Sequence, residues 1–149
     1  MVDEKKERRR FPRLFFSIED GLKGIIAFSD LQKGLLVAHI ANISKGGLGL
    51  AIGKDKKDKI AKGNQVILSH ITGIQGLESL INVDAEIKWT LENPSFEFVL
   101  FGCEFLNIPE PMRDAIGTFI DSWSIKQTEK FLRTANPAFA YRGETDGSQ

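Results

Sequence analysis

Four short apolar runs between residues 22 and 71, rich in β-branched residues and punctuated by glycine, narrow the choice of folds for this chain. Runs of this length, with turn residues between them, are typical of consecutive antiparallel strands. The sequence therefore predicts an antiparallel β-domain. The runs cover residues 22–28, 35–41, 48–52 and 65–71.

Two longer segments extend the β pattern. Apolar and polar residues alternate over 80–91, which indicates a strand with one buried face. An Asn-Pro-Ser turn at 93–95 leads to a second long strand over 96–106, and we expect the two strands to form a hairpin. The apolar face of the first strand comprises Ile81, Val83, Ala85, Ile87 and Trp89, and one face of the second comprises Phe96, Phe98, Leu100 and Gly102.

The hydrophobic period changes after Pro111, where apolar residues recur every three or four positions. This period predicts an amphipathic helix over 109–133 whose apolar stripe covers an open end or face of the sheet. The fold class is therefore all-β with a C-terminal helix. The polar segment 134–149 has little to bury, so we expect a disordered tail. The stripe consists of Met112, Ile116, Phe119, Ile120 and Trp123.

Charge is balanced overall but unevenly distributed. Lysine and arginine together number 20, as do aspartate and glutamate, so no net field attracts nucleic acid or a membrane surface. A basic excess lies in residues 1–13, and Pro12 disfavours a helix there, so we expect an extended N-terminal arm. The lysine-rich and aspartate-rich run at 54–59 is expected to form a solvated loop.

The length of 149 residues suits one compact domain. A single cysteine excludes an intramolecular disulfide, and we expect a reducing, cytoplasmic setting. No run approaches the ~20 apolar residues that span a bilayer, and no signal peptide is recognisable, so we expect no membrane span.

Patterns for catalysis and metal binding lack the required spacing. His39 and His70 have no second ligand at a metal-binding spacing. Ser44 lies in no nucleophile elbow, and Cys103 lies in an apolar strand, where a thiol acts as a small hydrophobe. The glycine-rich run 46–54 lacks both the P-loop spacing and the Ser or Thr that would hold magnesium. We therefore expect no catalytic residues, no metal and no cofactor: this chain is not predicted to be an enzyme.

Two polar motifs remain, Arg9-x-x-x-Arg13 in the arm and Asn42-x-Ser44-x-x-Gly47 after an apolar strand. The planar guanidinium of arginine can grip a phosphate or the Hoogsteen edge of guanine. An amide and a hydroxyl two residues apart can read base edges, and the adjacent glycines let backbone come close. Each motif alone is common, as a solvated basic tail or an ordinary turn. Together they indicate a divided site for a phosphorylated guanine ligand.

In their order and separation, these motifs resemble those of the PilZ family of cyclic di-GMP receptors, over roughly residues 7–106. The Trp89 that ends an apolar-x-apolar-x-Trp pattern, and Gly102 and Phe105 in a Gly-x-x-Phe pattern, are similar to the closing strands of that family. The resemblance implies a six-stranded antiparallel PilZ-type β-barrel over 14–108, with the RxxxR arm before it and the helix after it.

The resemblance also implies a role for each motif residue. Arg9 and Arg13 would clamp the phosphates and guanines of cyclic di-GMP, and Asn42 and Ser44 would hydrogen-bond a guanine. The arm would fold onto the barrel as it binds, at a cost of about 1 kcal/mol per ordered residue that charge-assisted bonds offset. Arg8 would help decide between one ligand and an intercalated pair. The expected site residues are Arg8, Arg9, Arg13, Asn42, Ser44, Gly46 and Gly47.

As a receptor or adaptor, the chain would act through an unidentified protein effector on another polypeptide. No specific nucleic acid is expected as a partner. Two alternatives stay open: charge-driven polyanion binding by the arm, and a protein-interaction module that works without nucleotide. The oligomeric state also stays open, because an apolar helix face can serve a dimer as well as the barrel.

Overall fold

The computed structural model describes residues 11–135. The arm before Phe11, with Arg8 and Arg9, lies outside the described residues, as does the predicted tail 134–149 apart from its first two residues, which continue the helix. Residues 11–135 contain seven strands, three short 3-10 helices and one long helix. The strands and the long helix are β1 (Leu14–Phe15), β2 (Lys23–Phe28), β3 (Leu35–Ser44), β4 (Gly47–Gly53), β5 (Gln65–Thr72), β6 (Val83–Glu92), β7 (Phe98–Phe105) and α1 (Glu110–Ala135).

Six of these strands form a closed antiparallel barrel. Their order is β3, β2, β5, β6, β7 and β4, and β4 pairs with β3 to complete the ring. The extra strand β1 pairs with the end of β3, along the same side of β3 that β2 occupies further on. The prediction of a six-stranded antiparallel barrel with a C-terminal helix is confirmed.

The alternation of the strands explains why the barrel has a single core. Leu36, Ala38 and Ile40 of β3 point inward and are buried, and the residues between them are more exposed. In β7 the inward positions include Val99 and Phe101, which are also buried. Phe98, Leu100 and Gly102 share one face of β7, as predicted. That face is the outer one, because these residues alternate with the inward-facing Val99, Phe101 and Cys103.

The predicted face of the strand at 80–91 is wrong at both ends. Ile81 is 51 % exposed because the strand begins only at Val83, after Asn82 takes a positive φ of 54° that breaks the extended backbone. Trp89 is 40 % exposed because the pairing with β7 shifts between Ile87 and Trp89. Such a bulge reverses which positions face the core.

The helix packs on the barrel through its first half. Ile116 and Phe119 are buried, and Met112, Ile120 and Trp123 pack against the core as the predicted stripe requires. From Ser124 to Arg133 the side chains are exposed. The amphipathic pattern is therefore used over the first half of α1, and the second half projects beyond the barrel.

The charged segment Lys54–Lys59 forms a short 3-10 helix instead of the predicted loop. It has no buried residue, and Lys57 forms an exposed ion pair with Glu92 at 3.3 Å. The expectation of a solvated segment holds, although the backbone is more regular than expected. Within residues 11–135, no helix combines the length and apolarity needed to cross a membrane.

Candidate ligand-binding site

The segment 11–16, here called the base of the arm, lies beside the polar turn at 42–47 because β1 pairs with the end of β3. Leu14 is opposite Ile43, and Phe15 is opposite Asn42. The Phe16 amide also donates a hydrogen bond to the Ala41 carbonyl at 2.9 Å. This register brings the chain just before Leu14 to the turn that joins β3 and β4, so the two motif segments become neighbours.

Between these segments lies an open pocket of about 750 Å³. Of the expected site residues, the structure brings Arg13, Asn42, Ser44, Gly46 and Gly47 together at its wall. Arg8 and Arg9 lie outside the described residues. The remaining lining residues are Phe11, Leu48, Gly49, Lys88, Trp89, Gly102, Cys103 and Glu104.

The position of the Asn42 side chain depends on the neighbouring strand β4. A Cβ at Gly49 would collide with the Asn42 amide, so the side chain of Asn42 lies across Gly49. Gly49 is opposite Asn42 in the β3–β4 pairing, where the register shifts between Ile40 and Asn42. The absent side chain at Gly49 therefore makes the space in which the amide donors and acceptor of Asn42 line the pocket.

Ser44 is the buried polar residue of the turn. It is only 8 % exposed, and its Oγ accepts a hydrogen bond from the Gly46 amide at 3.1 Å. This bond closes the turn and leaves the hydroxyl hydrogen of Ser44 to donate elsewhere. Ser44 can thus shape the turn and donate to a ligand at once.

Two glycines of the turn have close neighbours, and Gly47 is the more tightly packed of the two. A Cβ at Gly47 would overlap the Cys103 carbonyl oxygen on β7. A Cβ at Gly46 would lie 3.2 Å from the Phe11 ring, which is tighter than a relaxed contact. Gly47 lets β4 approach β7, and Gly46 lets the arm base approach the turn.

Trp89, Lys88 and Phe11 also line the pocket, although their sequence pattern did not predict them there. Trp89 reaches the pocket because of the β6 bulge, and its indole lies over Gly102, where a Cβ would collide with it. One feature of the sequence could have indicated this position of Trp89: a tryptophan follows the charged Lys88 in one strand, and a glycine lies in the next strand. An indole face exposed at a pocket is suited to stacking on a base.

Charges of both signs lie at the rim of the pocket. Lys88 forms exposed ion pairs with Glu86 at 3.5 Å and with Glu104 at 3.4 Å. The charge of Glu86, together with the hydrogen bond to Glu104, raises the pKa of Lys88 above its usual value. Lys88 therefore stays a cation through the neutral range, close to Arg13 at the same pocket.

A family model for the PilZ domain matches residues 7–122. This chain belongs to the PilZ domain family. Among curated protein sequences, none matches it significantly. The residues of the match include both motif segments, the whole barrel and the packed half of α1.

Solved structures with the same fold include PilZ proteins bound to cyclic di-GMP. The K. pneumonia MrkH–c-di-GMP complex is 16 % identical with a TM-score of 0.65, and the alignment covers 83 % of this chain and 55 % of that one. Escherichia coli YcgR with c-di-GMP is 17 % identical with a TM-score of 0.62, covering 85 % and 50 %. The isolated YcgR PilZ domain with c-di-GMP is 18 % identical with a TM-score of 0.58, covering 83 % and 96 %. This chain thus spans about half the length of MrkH and YcgR.

Within residues 11–135, the groups that could bind a metal or react as a thiol are few. No group of three or more His, Cys, Asp or Glu residues within 11–135 is arranged to hold a metal ion. Cys103 is buried, and burial raises the pKa of its thiol to about 12. The thiol is therefore protonated, and a poor nucleophile, throughout the neutral range.

We expect Cys103 to resist alkylation in the folded protein. At pH 8, a pKa of about 12 lowers the thiolate fraction roughly 1,000-fold relative to an ordinary thiol. Iodoacetamide should therefore label Cys103 rapidly only after unfolding in urea, as followed by mass spectrometry. Rapid labelling of the native protein would contradict the buried position.

Proposed function

We propose that this PilZ domain is a receptor for cyclic di-GMP that signals to a protein effector and catalyses no reaction itself. Its membership of the family supports this proposal, as do the c-di-GMP complexes of MrkH and YcgR with the same fold. The observation that carries it is the pocket, in which one arginine of the arm meets the amide and hydroxyl of the turn.

Each pocket residue then has a chemical task. Arg13, with Arg9 of the same motif, grips the phosphates or the guanine Hoogsteen edge, for which a planar fork of donors is suited. Asn42 and Ser44 hydrogen-bond a guanine and its surroundings, and Trp89 offers a surface for stacking. Gly46 and Gly47 keep the turn narrow enough for the ligand to approach. Arg8 helps decide between one ligand and an intercalated pair.

Signalling follows from closure of the arm. Ligand binding orders residues of the arm against the barrel, and charge-assisted bonds offset an entropic cost of about 1 kcal/mol per residue. The closed arm and the bound ligand present a surface that the open form lacks. An effector on another polypeptide recognises that surface.

Calorimetric titration tests the proposed function directly. We expect saturable binding of cyclic di-GMP and at least about tenfold weaker binding of cyclic di-AMP and GTP, because the guanine contacts and both phosphates are needed together. The fitted stoichiometry separates one ligand from two. Absence of saturable cyclic di-GMP binding by the unmodified chain would overturn the proposal.

A salt series separates this pocket from charge-driven binding of polyanions. Polyanion binding loses affinity steeply with salt and tolerates many sequences. We expect cyclic di-GMP binding to depend on salt more weakly than binding of a random single-stranded oligonucleotide. Equal affinity for both ligands, with equal salt dependence, would favour the polyanion alternative.

Trp89 is expected to stack on a guanine of the bound ligand. Base stacking on an aromatic side chain is worth about 1 to 3 kcal/mol, so Trp89→Ala should weaken binding about 5- to 150-fold. The chain has two tryptophans, so Trp123→Phe leaves Trp89 as the sole indole reporter. Ligand should change its fluorescence saturably. An unchanged spectrum, with binding intact by calorimetry, would exclude stacking.

A further inference from the structure

The base of the arm lies between β3 and α1 and contacts both. On the barrel side, Phe15 pairs with Asn42 of β3. On the helix side, the Phe16 ring centroid lies 5.3 Å from that of Trp123 and 6.2 Å from that of Phe119. Phe11, at the other end of this segment, lies under the Arg113 guanidinium, whose Cζ is 5.5 Å from the ring centroid. The arm base therefore runs along the helix.

The polar turn contacts the same face of the helix. A Cβ at Gly117 would lie 2.6 Å from Cε of Lys45, so the stem of Lys45 crosses the helix at this glycine. Lys45 belongs to the turn between Ser44 and Gly46. Because residues four apart share a helix face, Arg113 and Gly117 present neighbouring contacts to the arm and the turn.

Arg113 has an unusual environment for a helix-surface arginine. Its Nε is buried and has no hydrogen-bond partner among the described residues. Its charge lies over the face of Phe11, and the edge of the same ring lies against Gly46 of the turn. A guanidinium over an aromatic face is attracted by the ring, more strongly when partly desolvated. Phe11 is therefore held between Arg113 and the turn.

We propose that Arg113 is a positioning residue for the ligand site, which clamps Phe11 so that the arm base is fixed before ligand arrives. This inference rests on the proposed binding of cyclic di-GMP. Arg113 is not among the pocket-lining residues, so it acts through Phe11. With Phe11 held, Arg13 two residues later is already at the pocket, and less of the arm must be ordered on binding.

The test compares Arg113→Ala with Lys126→Ala by calorimetric titration of cyclic di-GMP. Lys126 is exposed on the unpacked half of α1, so its loss removes the same charge without touching the arm. We expect Arg113→Ala to weaken binding about 3- to 10-fold, which lies within the range of a cation–aromatic contact, and Lys126→Ala to change it less than about twofold. Arg113→Lys, which keeps the charge and helical fold, should fall between them.

A double-mutant cycle with Phe11→Leu separates clamping from a general structural effect. If Arg113 acts through the ring, Arg113→Ala should cost much less in the Phe11→Leu background than alone. Trypsin cleavage after Arg13 in the ligand-free protein should also be faster for Arg113→Ala than for Lys126→Ala. Additive effects in the cycle, or equal cleavage rates, would overturn the clamp. Failure of the unmodified chain to bind would instead overturn the proposed function.

Discussion

Arg13→Ala should weaken binding of cyclic di-GMP about 30- to 150-fold. Arg13 is the arm arginine that the structure places at the pocket. Hydrogen bonds to a charged group, lost without a replacement, cost about 2 to 3 kcal/mol, and each 1.4 kcal/mol is tenfold in affinity. Calorimetric titration measures the change, while the urea midpoint should stay unaltered because Arg13 is exposed.

Arg13→Lys provides the matched variant for this prediction. Lysine keeps the charge but loses the planar fork that binds two acceptors at once. We expect an affinity between those of the unmodified chain and Arg13→Ala, with a salt dependence like that of the unmodified chain. If Arg13→Lys binds cyclic di-GMP as tightly as the unmodified chain, Arg13 contributes only its charge. An unchanged affinity of Arg13→Ala for cyclic di-GMP would show that Arg13 does not contribute to binding.

Gly47→Ala should lower the free energy of unfolding by about 2 to 3 kcal/mol, because the new methyl group meets the Cys103 carbonyl oxygen and forces β4 away from β7. Gly47 and Glu104 pair directly in that ladder. The displacement also moves the turn, so ligand affinity should fall in parallel. Urea denaturation followed by circular dichroism measures the stability.

Gly24→Ala is the control for Gly47→Ala. Gly24 also lies in a strand, but its Cβ would lie 3.4 Å from Leu68 Cδ1 and 3.5 Å from Leu50 Cδ2, so only side-chain atoms need to adjust. We expect a change within about 1 kcal/mol, and alanine can even stabilise the strand by reducing the entropy of the unfolded chain. Equal losses for the two variants would show that the carbonyl contact at Gly47 is not the cause.

The hydrophobic pattern predicted a segment correctly where the pattern depends on that strand or helix alone. The apolar run at 35–41 predicted a strand, and the helical period of Met112, Ile116 and Phe119 predicted a helix packed on the core; both agree with the structure. Pattern failed at Trp89, because the bulge in β6 depends on pairing with β7 and reverses the face of the strand. Alternation within one strand contains no information about such a shift.

The candidate site also has one part that the sequence predicted and one part that it did not. The motif spacing predicted that Arg13, Asn42 and Ser44 belong together, and the structure places all three at one pocket. Their roles toward a ligand stay predictions. Phe11 and Arg113 could not be paired from the sequence, because their contact depends on how α1 docks against the arm base.

By itself, the sequence determined an antiparallel β-domain with a C-terminal helix and the polar groups available for a guanine nucleotide. These follow from hydrophobic period and side-chain chemistry, which are local properties. Only the tertiary structure decided that Trp89 faces the pocket, that Gly47 and Gly102 are required by their neighbours, and that Arg113 lies over the ring of Phe11. The reason is physical: strand register and helix docking are set by packing between segments distant in the chain, and no single segment encodes them.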